Sequence, residues 1–338
     1  MTPVSHGKPC AGNPHARFDE GASAPEDPRR KALLHKYEVA SWMAPQNRGA
    51  TDGFSVDSYD GFPRVVAHCG YNLTVPTLIA GLAPEEDKLQ NIVVSGWKSF
   101  ASKIDITDFV RESRWKPDRI LSCVREAHYN HPEVFYLARG IKLEQILRPD
   151  GTLIKAALTG LNYSLTLPEY LVCKSKLDAA IIEAMSTISG VASEEEKALR
   201  LHDYLVRVCE CDLTVKDDKV YSTRARTAYS ALVRRKAVCE GYAMAYRLLL
   251  NAAGIVSDVS IDRSGRHIWN YVRIHDRWYH VDVTWDDPVY VGPVQRRRRI
   301  SHRHFLMSDR KARMTGHKRW DVRGLPSADD ERYDEWYS

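Results

Sequence analysis

The chain has 338 residues, 43% hydrophobic and 28% charged, enough apolar material for one large or two medium globular domains. Its 49 basic and 44 acidic side chains leave a net charge of +5, which falls short of the strongly basic footprint of a nucleic-acid binder. The longest nearly apolar run, Leu248 to Val256, is well short of the ~18 residues a membrane-spanning helix needs, so no transmembrane segment is expected.

Residues 1–55 are rich in proline, glycine, alanine and charge and read as a disordered leader, with one short apolar patch at "ALLHKYEVASWM". No continuous apolar stretch marks a secretory signal there, which makes the cytoplasm the default compartment. Residues 60–175 read as a small α+β domain. A helix is expected around "DRILSCVREAHYNHPEV", where Ile120, Leu121, Val124 and Ala127 recur at helical spacing. Strands follow in "EVFYLARG" and "LEQILRPDGTLIKAALTGLNYSL", with Pro149-Asp150-Gly151 supplying the turn.

A second domain is placed at 180–325, followed by an acidic tail at 326–338. Its first marked helix lies in "SEEEKALRLHDYLVRVCECD": Ser193 with Glu196 forms a capping box, and Leu201, Tyr204, Leu205 and Val208 form an apolar stripe. No internal repeat is visible.

Seven cysteines, at 10, 69, 123, 173, 209, 211 and 239, form an odd and irregular set that does not read as a disulfide scaffold. Cys209-x-Cys211 lacks zinc-site spacing, His302-x-His304 is a lone pair in a basic tail, and no loop has EF-hand spacing. No metal or cofactor is assigned. The basic clusters Arg234-Arg235-Lys236 and Arg296–Arg299 are as consistent with solvated loops as with function.

"KAVCEGYAMAYRLLL" is the informative stretch. A helix is expected from about 240 to 252, stopping at Asn251-Ala252-Ala253-Gly254 and placing Cys239 at its N-terminal end. A cysteine is commonly a small buried hydrophobe. At a helix N-terminus, however, unpaired N–H groups and the dipole stabilise a thiolate. Gly241 is expected to leave space for a substrate backbone.

"RHIWNYVRIHDRWYHVDVTWDDP" reads as a hairpin with strands near 267–274 and 277–284 around His275-Asp276. With a two-residue turn, Trp269 faces Asp282 and His267 faces Thr284, so His267 and Asp282 project from one face as diagonal neighbours. A thiolate, a proton acceptor and a carboxylate that orients the acceptor are the parts that nucleophilic thiol catalysis needs.

"TAYSALVRRKAVCEGYAMAYRLLLNAAGI" and "HIWNYVRIHDRWYHVDVTWDDP" resemble the core of the transglutaminase-like superfamily, in particular its bacterial transglutaminase-like and peptidase-like members. The resemblance reaches "EEEKALRLHDYLV" upstream and, more loosely, "HFLMSDRKARMTGHKRW" downstream, covering about 195–320. The 60–170 region also looks like the leader domain of such bacterial proteins.

The resemblance implies an α+β, papain-like core in which the helix bearing the cysteine packs on an antiparallel sheet. It assigns the nucleophile to Cys239, the general base to His267 and the orienting carboxylate to Asp282. It implies a cysteine-dependent hydrolase or acyltransferase acting on a protein or peptide substrate through a thioester. It also leaves a cell-surface or extracellular location open. The alternative is a noncatalytic module that binds a peptide or glycan in the same groove.

Asp286 and Asp287 are alternative carboxylates, and His280 is a decoy base on the same face. Trp269 and Trp278 are read as core or groove wall. His202 and Asp203 are read as packing and hydrogen-bonding residues. For an oxyanion, the Cys239 N–H is the natural donor, with Tyr229 a weak candidate for the second.

Overall fold

Prolines open the helical half of the molecule. The helices Pro84–Lys98, Pro117–Asn130 and Leu167–Ser186 each carry one in the first turn, where its missing N–H costs nothing and its fixed φ suits the helix. The computed structural model describes residues 54–59, 62–67, 79, 81–138, 141–148, 150–215, 224–287, 300–321 and 324–336. The leader expected over 1–55 therefore lies almost entirely outside the described residues, as does the basic run Arg296–Arg299.

The chain divides into two compact units, one of them Asn13–Gly70. Within that unit the strands Phe54–Tyr59 and Phe62–Ala67 pair antiparallel, with Tyr59 opposite Phe62. The larger unit holds every described residue from 79 onward.

In the larger unit the helix expected around residue 120 runs Pro117–Asn130, with Ile120, Cys123, Val124 and Ala127 buried at helical spacing. The strands Lys142–Leu147 and Leu153–Thr159 form a hairpin across Gly151, whose φ of 83° the turn requires. Ile104–Asp105 pairs on the other side of Leu153–Thr159. Ser193 caps the Glu194–Val208 helix, its Oγ accepting the Glu196 N–H at 3.1 Å.

The Cys239–Ala252 helix is mostly apolar and is buried from Cys239 to Asn251, its charged Glu240 and Arg247 included. Gly254 ends it with φ 78°. The antiparallel sheet packed on it has the order Arg277–Val281, Ile268–Ile274, Ser257–Asp262, Trp320–Asp321. This helix-on-sheet core is the mixed α and β arrangement read from the sequence.

One apolar cluster, from Leu89 to Tyr333, runs through both the helical region before residue 186 and the sheet region after it. Polar groups span the same boundary: fully buried Arg247 reaches Asp258 Oδ1 at 2.7 Å and Asn130 Oδ1 at 2.9 Å. The residues read as an acidic tail pack as well. Tyr333 is buried, and Asp334 accepts from Ser308 N and Oγ at 2.9 and 2.7 Å. Among the described residues, no helix is long and apolar enough to cross a membrane.

Candidate functional site

The hairpin pairs in the register that its residues dictate. Ile274 lies opposite Arg277 and Asn270 opposite Val281, leaving His275-Asp276 as a two-residue turn. Both turn residues have positive φ, 47° and 62°, as the hairpin turn matched to strand twist demands. The second strand, expected to reach 284, ends at Val281. Asp282 then becomes the N-cap of a one-turn helix, Val283–Asp286, with Oδ1 accepting the Trp285 N–H at 3.1 Å. That cap turns the chain away before Asp286 can join the His267 face.

Asp282 Oδ2 is left for His267, whose Nε2 lies 2.6 Å away in a buried pair. The imidazole is stacked between Trp269 and Trp285, with ring centroids 5.6 and 5.0 Å away. Among the described residues, its other nitrogen, Nδ1, has no partner at full hydrogen-bond geometry, and the Cys239 thiol is the group that acts on the ring from the cleft. Burial alone would make His267 less basic. The Asp282 charge and hydrogen bond outweigh it, helped by the Cys239 thiol, and the ring is raised to about 10. Burial likewise opposes ionisation of Asp282, but His267 and His317 hold its carboxyl well below the usual carboxylate range.

Cys239, the first residue of its helix, and His267 line one cleft of about 80 Å³, together with Tyr129, Arg226, Glu240 and Arg266. Cys239, His267 and Asp282, separated by 28 and 15 positions in sequence, are thus gathered at one place. The Cys239–Ala252 helix supplies the first, and the hairpin supplies the other two.

The remaining candidates lie elsewhere. Tyr229 is stacked on Phe135 at 4.8 Å and does not line the cleft. Gly241 does leave room, but the chain itself fills it: a Cβ there would stand 2.6 Å from Ala225 O and 2.7 Å from Ala237 Cβ. Trp269 is buried and donates from Nε1 to His280 Nδ1 at 3.0 Å. His280 in turn reaches Asp309 at 2.9 Å, and burial pushes its pKa down.

Asp286 faces His202 and His304, at 3.3 and 3.0 Å, and Asp287 accepts from Tyr242 at 2.6 Å. His202 and Asp203 take the hydrogen-bonding role expected of them, Nδ1 meeting Oδ1 at 3.1 Å. Of the basic triplet, Lys236 pairs with Asp212 at 3.6 Å and Arg234 lies over the Tyr229 ring.

His317, Trp285, Arg226 and Arg266 were not singled out in the sequence. His317 follows the helix Asp309–Thr315 and its stop at Gly316, and sends Nε2 to Asp282 Oδ2 at 2.9 Å. The sequence signal was present, a histidine immediately after a helix stop, but nothing local says which carboxylate it meets. His267, Asp282 and His317, like His202, Asp203 and His302, bring potential metal-ligand atoms within 4.8 Å of one another. In both groups the carboxylate already bonds both histidines.

Residues 183–283 match the family model described as the transglutaminase-like superfamily. The chain carries a transglutaminase-like domain. That domain contains Cys239, His267 and Asp282, while His317 lies beyond the matched segment. No curated protein matches the chain.

Among solved structures, a TGase is 14% identical, with a TM-score of 0.32 over 49% of this chain and 50% of its own. A proposed protease from Parabacteroides distasonis is 11% identical, with a TM-score of 0.27 over 43% of this chain and 37% of its own. A proposed cysteine protease from Cytophaga hutchinsonii is 14% identical, with a TM-score of 0.26 over 43% of this chain and 62% of its own. The chain thus spans less than two thirds of each of these structures.

Proposed function

We propose that the transglutaminase-like domain is a thiol acyl-transfer enzyme that acts on amide or peptide bonds through Cys239, His267 and Asp282. The observation that carries this reading is the buried 2.6 Å contact between His267 Nε2 and Asp282 Oδ2, which leaves Nδ1 of the same ring uncommitted to any other acid or backbone group among the described residues, with Cys239 in the same cleft. A carboxylate that fixes one ring nitrogen leaves the other to exchange a proton with the thiol.

In the first half-reaction, the Cys239 thiolate attacks the carbonyl carbon and the C–O π pair moves onto oxygen, where the Cys239 N–H donates to it. Collapse of the intermediate breaks the C–N bond, and the His267 imidazolium gives its proton to the departing amine. A thioester remains on Cys239. In the second half-reaction, water or an amine loses a proton to His267 as it attacks the thioester carbon. The C–S bond then breaks with its electron pair on sulfur, restoring the thiolate–imidazolium pair. Hydrolysis is the favoured outcome, since water is always at hand whereas transamidation needs an amine site as well.

Residue-resolved mass mapping after iodoacetamide treatment tests the first step. Cys239 is expected to label first. Cys123 is the internal control, because burial pushes its thiol up to about 12. Preferential labelling of Cys123, Cys173 or Cys209 with Cys239 untouched overturns the reading. So does turnover of a peptide library that survives Cys239→Ala. Ligand binding without turnover in the wild type points instead to a peptide- or glycan-binding module.

A further inference from the structure

The cleft beside Cys239 carries a guanidinium that the acyl-transfer chemistry does not use. Two arginines line it. Arg226 is matched: its Nη1 lies 3.1 Å from Glu240 Oε2, and the Glu240 carboxylate, 4% exposed, also has His128 Nε2 at 3.8 Å. Arg266 is different. It sits exposed in the turn between the strands Ser257–Asp262 and Ile268–Ile274, immediately before His267. Its Nε donates to Ser264 Oγ at 3.3 Å, and no carboxylate pairs with its guanidinium among the described residues. Asp262, the acid of that turn, instead accepts the Ser264 N–H at 2.6 Å.

Arg226 and Glu240 pair directly, and the buried His267 has Asp282 as its ion-pair partner. Arg266 is left as the cleft-lining guanidinium with no carboxylate within ion-pair distance among the described residues. A guanidinium offers a planar fork of N–H donors that fits a carboxylate, and it stays charged at every working pH.

The geometry points to Arg266 as a specificity-determining residue that recognises a carboxylate on the molecule Cys239 attacks, so that the preferred substrates are anionic peptides. This rests on Cys239 being the nucleophile. The carboxylate belongs either to an acidic side chain beside the scissile amide or to a free C-terminus just beyond it. Recognition is noncovalent and leaves the proton transfers of the reaction unchanged.

The test compares iodoacetate with iodoacetamide as reagents for Cys239 in the full chain. These differ in one carboxylate, and each rate is followed by mass mapping. In Arg266→Gln the ratio of iodoacetate to iodoacetamide rates is expected to fall by about threefold or more, the scale of one lost unit charge in largely aqueous surroundings. Arg266→Lys, which keeps the charge, is expected to hold most of it. His267 is constant across the series, so its own pull on iodoacetate cancels.

Two further pairs separate the sources. Peptidyl chloromethyl ketones with Glu or Gln beside the reactive carbon report an acidic side chain, and bromoacetyl-glycine against bromoacetyl-glycinamide reports a C-terminus. A preference for the anion that is lost in Arg266→Gln assigns the source. A ratio unchanged by Arg266→Gln in all three pairs, with Cys239 labelling normally, overturns the carboxylate site and leaves the nucleophile standing. Cys239 inert to every reagent overturns the acyl-transfer reading and this inference with it.

Discussion

His317 Nε2 stands 2.9 Å from Asp282 Oδ2, the same oxygen that His267 Nε2 reaches at 2.6 Å. One buried carboxylate oxygen therefore accepts from two imidazoles, while its other oxygen caps the Val283–Asp286 turn. Both oxygens of Asp282 are thus engaged, which fixes the carboxylate and, through it, the His267 ring. Burial pushes the pKa of His317 down despite the adjacent carboxylate, so at neutral pH His317 is a neutral donor that adds direction without adding charge.

His317→Ala is expected to lower kcat/KM by about tenfold, the lower end of what a hydrogen bond to a charged group contributes. The Asp282 charge no longer shared with His317 then acts on His267 alone, so the alkaline limb of the kcat/KM profile is expected to move to higher pH. A purely packing role would change stability without moving that limb. A profile of unchanged shape in a folded His317→Ala protein refutes the positioning role.

His267 also links the site to folding. Its pKa is raised in the folded protein from 6.5 to about 10, so the folded state binds its proton more tightly than the unfolded chain does. That stabilisation is fully present below pH 6.5, shrinks as pH rises, and is gone once pH passes the folded value. Thermal unfolding of wild type and His267→Phe across pH 6.5 to 10 is expected to show the steeper loss of Tm in wild type. Parallel curves would mean that the ring is not held charged. Asp282 acts in the opposite window: its depressed pKa contributes stability above 3.8 that is lost as pH falls below it.

The two carboxylates that the sequence left in competition separate by what they touch. Asp286 is fully buried, lies 3.3 Å from His202 and 3.0 Å from His304, and accepts the His304 N–H. Burial lowers the basicity of His202, but Asp203 and Asp286 together overcome it and raise the ring to about 9. Removing Asp286 leaves buried His202 with Asp203 as its remaining carboxylate and takes away the partner of His304, so Asp286→Ala is expected to cost about 3–5 kcal/mol of stability. Asp282→Asn is expected to keep Cys239 labelling by iodoacetamide largely intact while turnover falls by about 10⁴-fold, because the ring is misoriented. Urea unfolding set beside turnover checks both. Equal loss of activity per unit of lost stability in the two variants would merge their roles.

How much of this was legible depended on the distance over which each residue finds its partner. The hairpin register followed from local chemistry, because the two-residue turn at His275-Asp276 sets every pair from Asn270–Val281 inward. The cysteine helix and its stop at Gly254 were equally local. The end of the second strand was not, because Asp282 leaves the ladder to cap a turn, and alternation in "WYHVDVTW" runs on past that point. His317 meets Asp282 across 35 positions, and Asn130 meets Arg247 across 117. No periodicity records such pairings. They exist only once the helices and the sheet have packed.

Gly241 shows the same limit on a small scale and gives the last test. A glycine beside a nucleophile reads as room for substrate, yet the space above it holds Ala225 O and Ala237 Cβ, with Thr227 O at 3.3 Å from a built Cβ. Two of those atoms are backbone carbonyls, which yield far less readily than the end of a flexible side chain. Gly241→Ala must therefore push the 225–227 segment outward, at an expected cost of about 1–3 kcal/mol. Arg226 lies in that segment and carries the 3.1 Å contact to Glu240, so the displacement reaches the cleft wall. Urea unfolding is expected to show the lost stability. Iodoacetamide labelling of Cys239 is expected to continue, since neither Cys239 nor the hairpin has been touched, while turnover falls with the disturbed wall. Gly190 provides the contrast: its φ of 74° makes alanine strained there too, but a Cβ would meet nothing within 4 Å. Gly190→Ala is thus expected to cost stability without a matching loss of turnover in the protein that remains folded. A Gly241→Ala protein as stable and active as wild type would show that the contact between the cysteine helix and the 225–227 backbone is looser than its 2.6 Å implies.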